Sequence, residues 1–371
     1  MNWKKSFLII AFLLILIGPA FVWTRFKPIT PQTVMDRLLD RYMIDSSKFK
    51  TPPNAIPLRS ERIFPPIDDE KEGVYIGHAQ SMAMDSEGLF YVPDDRNDEI
   101  LVFADDGRFV RRFGRTGEGP GDFLMPVGIA SGPDFVLVRE LRNYRFQFFS
   151  LGGKYRSGFR SSKGYENYRI AGDRIIGIRH QGFLEQKSGD TALIDLLDYQ
   201  GRIQKSFGSI FYALKYNRES LNRAGLSISP KQEIAIASCF YPIVRLYSMN
   251  GDLVREFRTS SGIIDKTVPI NSEMVDILKT GAQAPLGFTA NAIFANSDGI
   301  YIAVAAPKRL EILLYDESGK QKEYYYKNLE AAIGCDELFV KSSPKGKRFF
   351  ILRMYPHCIE ELTPAAPRPG R

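Results

Sequence analysis

Five times along the chain, an apolar strand segment, a tight turn closed by glycine and a polar–apolar strand ending in an aromatic ring follow in the same order. The copies run Ile100 to Phe113, Phe146 to Phe159, Ile194 to Phe207, Val244 to Phe257 and Ile312 to Tyr325. Their turn glycines, Gly107, Gly153, Gly201, Gly251 and Gly319, lie 46, 48, 50 and 68 residues apart, which is the period of blade-type repeats. Glycine recurs because a tight hairpin turn needs positive φ at one position.

A second apolar strand precedes each copy: Gly88 to Val92, Asp134 to Val138, Arg174 to Ile178, Glu233 to Ala237 and Gly299 to Ala303. Shorter apolar segments such as Ser81 to Asp85 and Ala292 to Ala295 come before these. Near-continuous apolar strands suit positions covered on both faces by neighbouring blades. The economical architecture is all-β, with four antiparallel strands per repeat. The 12% aromatic content, 31 Gly and 22 Pro agree with many short strands joined by turns. After the fifth copy, Asp336 to Val340, Arg348 to Met354 and Cys358 to Leu362 supply three more strands. A ring closes without open edges if the other terminus donates the fourth, and Arg62 to Ile67 is the candidate. The expected fold is a six-bladed β-propeller of four-stranded antiparallel blades over 61–363, preceded by an N-terminal hydrophobic helix, with a tail at 364–371.

Lys4 and Lys5 precede an apolar run from Phe7 to Ile17, then Gly18-Pro19-Ala20, Trp23 and the basic Arg25 and Lys27. The pattern is that of an export signal cleavable after Ala20. Counted on to Trp23, it is long enough for a retained membrane anchor. Residues 1–27 are thus a signal or transmembrane anchor. The expected location is outside the cytoplasm, membrane-anchored facing the periplasm or extracellular space, or secreted if the signal is cleaved. Residues 28–60 read as a short amphipathic helix within Pro31 to Lys50, then a proline-rich linker through Pro52, Pro53 and Pro57. The formal charge of +7 comes without a polybasic run or a nucleic-acid module, so no nucleic-acid partner is expected. Cys239, Cys335 and Cys358 fit no metal spacing. Cys335 and Cys358 flank a hairpin and are candidates for a disulfide, with three buried thiols as the alternative.

The stretch Asp85 to Phe103 carries a turn Gly88, a strand end Tyr91-Val92-Pro93-Asp94 and Asn97 before a Val-Phe strand. It leads into a glycine-rich link, Gly114, Gly117, Gly119 and Gly121, ending in Phe123 and Pro126. These forty or so residues resemble the NHL repeat closely, and later repeats keep the strands while losing the Asp and Asn. The resemblance implies a propeller scaffold of the kind found in exported bacterial proteins, and no one activity. Some NHL-type lyases hold zinc with histidines from different blades, and calcium-dependent lactonases use central carboxylate and Asn ligands. The counterparts here would be His78, His180 and His357, or Asp94, Asp95, Asn97 and Asp98. The histidines do not occupy matching places in their blades, and the acidic cluster reads equally as side chains holding their own turn. The glycine-rich link lacks the Gly-Lys-Ser/Thr ending of a phosphate loop. No catalytic motif stands out and no cofactor is implied.

In four-stranded blades the second-to-third-strand loops and the blade-to-blade links share one face. Arg96, Arg139, Arg142, Arg145, Arg179, His180, Tyr241, Lys308 and Arg309 fall on that face, with the long links 208–224 and 259–287. Within the second link, Ser272 to Lys279 reads as a helix. Loops gathered at one end of a rigid scaffold are where binding concentrates. The expected ligand site is therefore Arg96, Arg139, Arg142, Arg179, His180, Tyr241, Lys308 and Arg309. It would take an anionic small molecule or glycan, or carboxylates of a protein partner. The alternative for the arginines is a solvated rim paired with Glu140, Asp94 or Asp95. The functional reading is a binding module tethered through its N-terminus; its rival is a metal-dependent propeller enzyme, of lyase or lactonase type, with its site at the central channel.

Overall fold

Each of the five glycine turns joins the third and fourth strands of one sheet. The computed structural model describes residues 49, 51–66, 73–161, 163–180, 191–211, 221–279, 286–330, 333–354 and 356–365. Four sheets are β2 (Ala83–Met84) to β5 (Phe109–Phe113), β6 (Pro126–Ser131) to β9 (Tyr155–Arg160), β10 (Tyr165–Ala171) to β13 (Ile203–Ser209) and β14 (Ala224–Ile228) to β17 (Leu253–Arg258). Two further blades share an eight-stranded sheet. One is β18 (Ala292–Asn296) to β21 (Gln321–Asn328). The other is β22 (Cys335–Ser343), β23 (Gly346–Met354) and β24 (His357–Pro364), completed by the N-terminal β1 (Ile56–Phe64). The two meet where Ile56 and Pro57 run parallel to Tyr325 and Tyr326. The count is six blades, with first strands side by side from β2 round to β22.

The donated strand begins at Ile56, earlier than the expected 62–67, and so takes in residues read as linker. Proline content suggested a stiff spacer there. Proline is tolerated at the start of a strand, and Pro57 is the second residue of β1, where its carbonyl accepts the Ala365 N–H at 2.8 Å. Residues Leu58 to Phe64 pair antiparallel with β24, with one irregularity between Ser60 and Arg62.

Successive blades are glued by one repeated contact. The turn glycines have φ between 77° and 89°, and each closes its turn by donating its N–H to the carbonyl three residues back. Each also lies under an aromatic ring from the preceding blade. A Cβ at Gly153 would come within 2.7 Å of Phe113, at Gly251 within 2.7 Å of Phe207 and at Gly319 within 2.6 Å of Phe257. Gly201 lies under Phe159 in the same way. The rings at the ends of the outer strands thus seat on the next blade's turn, and Phe113, Phe207 and Phe257 also meet Phe149, Tyr247 and Tyr315. At the closure Phe64 of β1 plays this part, packing on Gly107, Phe90 and Phe103.

The link between the fourth and fifth blades holds α1 (Gly262–Lys279), longer than the expected Ser272 to Lys279 and with Pro269 inside it. Ser261 caps its start, accepting the Ile264 N–H at 3.2 Å. Asn271 ties it down through bonds to the Phe240 and Gly287 carbonyls at 2.9 and 2.8 Å. Much of the other long link, 208–224, lies outside the described residues, as do the anchor at 1–27 and all but Phe49 of the helix expected within 31–50. No helix among the described residues is long and apolar enough to cross a membrane.

Cys239, Cys335 and Cys358 are buried free thiols. Cys335 and Cys358 both stand in register with Arg353, so a whole strand separates them. Two strand spacings make about 9–10 Å, beyond the roughly 7 Å that a disulfide spans.

Phe64 is 1% exposed. A chain begun at Pro65, which lacks β1, is expected to lose its cooperative urea transition and to aggregate, whereas one begun at Lys48 keeps it. Equal transitions for the two would show that closure does not depend on this strand.

Candidate functional site

The first strand of a blade should be apolar throughout, yet several carry charges at their entry. Local backbone irregularities turn those charges inward. In β10, Tyr165 pairs with Arg179 and Asn167 with Ile178, leaving Glu166 as an extra residue. In β22, Cys335 pairs with Arg353 and Glu337 with Leu352, leaving Asp336 over. In β6, Val127 is left over in the same manner. Such bulges bend a strand and re-aim a side chain. Here all three extra residues line one cavity of about 400 Å³ on the ring axis, to which every blade contributes.

The floor of this cavity is an ion pair across the axis. Arg169 of the third blade reaches Glu337 of the sixth, on the opposite side of the ring, at 2.7 Å. Asn167 Oδ1 and the Tyr168 carbonyl hold the Arg169 guanidinium at 2.7 and 3.0 Å. Burial raises the Glu337 carboxyl above its usual range, and Arg169 opposes this. Beyond the pair the channel continues as an apolar space of about 160 Å³ between residues such as Met82, Ile170, Ile293 and Phe339.

The walls carry mixed charge. Arg139 of β7 (Phe135–Glu140) lines the cavity, and its Nε has no hydrogen-bond partner among the described residues. Burial lowers its pKa, while Tyr168 and Glu166 raise it. Asp336 Oδ2 likewise has no partner among the described residues. Burial first, then Glu337, push the Asp336 carboxyl up to about 7, with Arg223 and His78 pulling it back. Cys239 also faces the cavity, but burial raises its thiol to about 12, so it is no thiolate nucleophile at neutral pH.

The histidine and acidic groups have separate fates. His78 and His357, expected to be scattered, have ring centroids 4.7 Å apart, because the first and sixth blades are neighbours at the closure. His78 Nδ1 lies 2.8 Å from each Asp95 carboxylate oxygen, and burial, then His78, lower the His357 pKa. His180 is on the third blade, exposed, with its N–H on the Gly164 carbonyl at 2.9 Å. Asp94 is consumed by its own loop, accepting from Gly77, His78, Arg96 and Asn97 at 2.6–3.2 Å. Asp98 accepts the Met125 N–H at 2.7 Å. Among the described residues, no group of three His, Cys, Asp or Glu is placed to hold a metal ion.

Of the eight residues expected to form a ligand site, Arg139 alone lines the axial cavity. Arg179 is buried against Asp195 at 2.8 Å and Ser206 at 2.5 Å. Arg309 is buried on Glu311 at 2.9 Å, with Tyr326 4.6 Å beneath its guanidinium. Tyr241 packs with Leu221, Val275 and Leu278. Arg96, Arg142 and Lys308 are exposed in loops. Arg145 pairs with Glu140 at 2.6 Å. Sequence reasoning missed Glu166, Arg169, Arg223, Asp336 and Glu337. The signal that could have found them is charge at the entry of strands that should be apolar.

The stretch 71–131 matches a family described as a 6-bladed beta-propeller. No curated protein matches the chain in sequence. Among solved structures, the chain is similar to a member of the DUF4221 family from Bacteroides vulgatus, with 11% identity, TM-score 0.55, and 85% of this chain and 100% of that one covered. It is also similar to a predicted exported protein from Bacteroides fragilis, with 9% identity, TM-score 0.52, and coverage of 85% and 98%. Virginiamycin B lyase from Staphylococcus aureus aligns with 13% identity, TM-score 0.47, and coverage of 76% and 80%. At such identities the first two likenesses show the fold.

Because burial raises the Asp336 carboxyl to about 7, the folded chain keeps a proton there that the unfolded chain gives up at lower pH. Ionisation of this group therefore works against the fold as pH rises from the ordinary aspartate range through neutrality. Asp336→Asn is expected to be more stable than the parent by about 2–4 kcal/mol at pH 8.5 and little different at pH 4.5. Urea unfolding at the two pH values checks this; an equal effect at both would show that the charge carries no burial penalty.

Proposed function

We propose that this chain is an exported NHL-like propeller that works as a binding module, tethered through its N-terminal segment, and that its ligand is a small molecule bearing an anionic group seated in the axial cavity. The observation that carries this reading is the convergence of three strand bulges on one cavity, two of them turning an acidic side chain inward, with Arg139 on the same wall and its Nε without a hydrogen-bond partner among the described residues. A volume of about 400 Å³ falls in the range of small-molecule sites, and the Arg169–Glu337 floor fits a ligand that enters from one end. Export is supported by the basic and apolar start of the sequence and by likeness to a predicted exported protein.

A rival enzymatic reading is favoured by one arrangement, His78 held by Asp95 beside Asp336, which has the form of an oriented base next to an acid. Recovery of an incubated ligand unchanged supports binding; conversion that stops in His78→Gln supports the rival.

A charge-assisted bond to a carboxylate is worth about 1.5–3 kcal/mol. Small organic carboxylates are therefore expected to raise the melting temperature of the parent chain, with affinity at least about tenfold weaker in Arg139→Ala. If no carboxylate in a broad panel shifts the parent's melting temperature, the axial cavity is not an anion site.

A further inference from the structure

An anionic group alone leaves part of the charge of the axial cavity unmatched. Arg169 and Glu337 neutralise each other across the axis at 2.7 Å. Two cations and two carboxyl groups remain on the walls: Arg139 of the second blade, Arg223 before the fourth, Glu166 of the third and Asp336 of the sixth. Among the described residues, the cavity-lining side-chain atoms that lack a partner are one donor, Arg139 Nε, and one acceptor, Asp336 Oδ2. Their residues enter from the blades flanking the first and line the same chamber. An anion would pair with the guanidinium and place a second negative group near Asp336 and Glu166. A cation would do the reverse. Leaving either buried atom unmatched carries the full desolvation penalty.

We infer that the ligand is a zwitterion of the amino acid or short-peptide class, its carboxylate on Arg139 and its ammonium on Asp336. This rests on the axial cavity being the binding site, as proposed above, and goes further by naming both ends of the ligand. The remaining groups fit the assignment. Arg223 stands near Asp336 and Cys239, so the lining carries both signs of charge, as a zwitterion requires. Phe288 and Met354 supply apolar lining for a side chain. Binding also moves a proton. Asp336 is faced by Glu337 on its own strand, by Arg223 and His78 from the adjoining links, and by the thiols of Cys239 and Cys335. An ammonium arriving there favours the ionised carboxylate, so a ligand binding near pH 6 releases protons from this group.

The test uses the purified full chain and three matched mixtures of dipeptides: free, N-acetylated and C-amidated. Free dipeptides are expected to bind, and each capped form at least about tenfold more weakly. Asp336→Asn is expected to bring the free and N-acetylated forms level, and Arg139→Ala to bring the free and amidated forms level. Calorimetry at pH 6 in two buffers of different ionisation enthalpy is expected to show proton release for the parent and none for Asp336→Asn. N-acetylated peptides binding as tightly as free ones would overturn the zwitterion and leave the anion site standing. Failure of all three mixtures, while simple carboxylates bind through Arg139, would also overturn it. Failure of the simple carboxylates as well would remove both readings.

Discussion

A phenyl ring at the end of one blade, lying on the turn glycine of the next, is the contact on which the ring depends. It requires two things of the sequence at a fixed separation: an aromatic to close each outer strand, and a following turn with no side chain. The glycines are therefore held twice over, by positive φ and by the ring above them. A larger residue would both strain the turn and push the neighbouring blade away. Because Phe113, Phe159, Phe207 and Phe257 each reach forward by one blade, the blades are set in sequence at a constant spacing. The axis inherits its geometry from that spacing.

A rigid rim lets the centre depart from regularity. The inner strands of the second, third and sixth blades each carry one residue too many for their ladders. An isolated sheet would spend such a bulge on local twist. In a ring the same defects point at a common line, and the charges they carry meet side chains from blades distant in sequence. The Arg169–Glu337 pair shows the consequence, since two residues 168 positions apart bond directly across the axis. A buried pair of this kind is costly to desolvate and adds little net stability over an apolar contact. Its evident effect is to divide the channel into a charged chamber and an apolar one.

Much of the scaffold was legible because its signals are local. Turn glycines, the apolar strands just before them and the terminal aromatics fall within fourteen residues of one another, and their period marks the blades. The donated strand was foreseen in principle but placed too late, because Pro57 reads as a spacer while the partners of its strand, β21 and β24, lie at the far end of the chain. Helix α1 was read only in its second half, since Pro269 hides the first. The site was much less legible. Arg179 and Arg309 share the loop face with Arg139, but Asp195 on the next strand and Glu311 two residues along the same strand bury and neutralise them. Which arginine is left facing the axis depends on ladder register and on bulges, and single-chain spacing reports neither. The meeting of His78 and His357 was invisible for a related reason, as it exists only because the ring closes.

The closing strand carries a consequence for the order in which the chain is made. Arg59 and Thr363 are 304 positions apart, so β1 leaves the ribosome almost a whole chain before its partner β24. Until then it is an unmatched edge holding Phe64, a ring destined for the interior, and such edges pair readily with other chains. The first five blades can form from contiguous residues as they emerge, but the seam must wait for the C-terminus. If the chain is exported as proposed above, that delay means the ring is sealed on the far side. The last event of folding then follows the last event of transport.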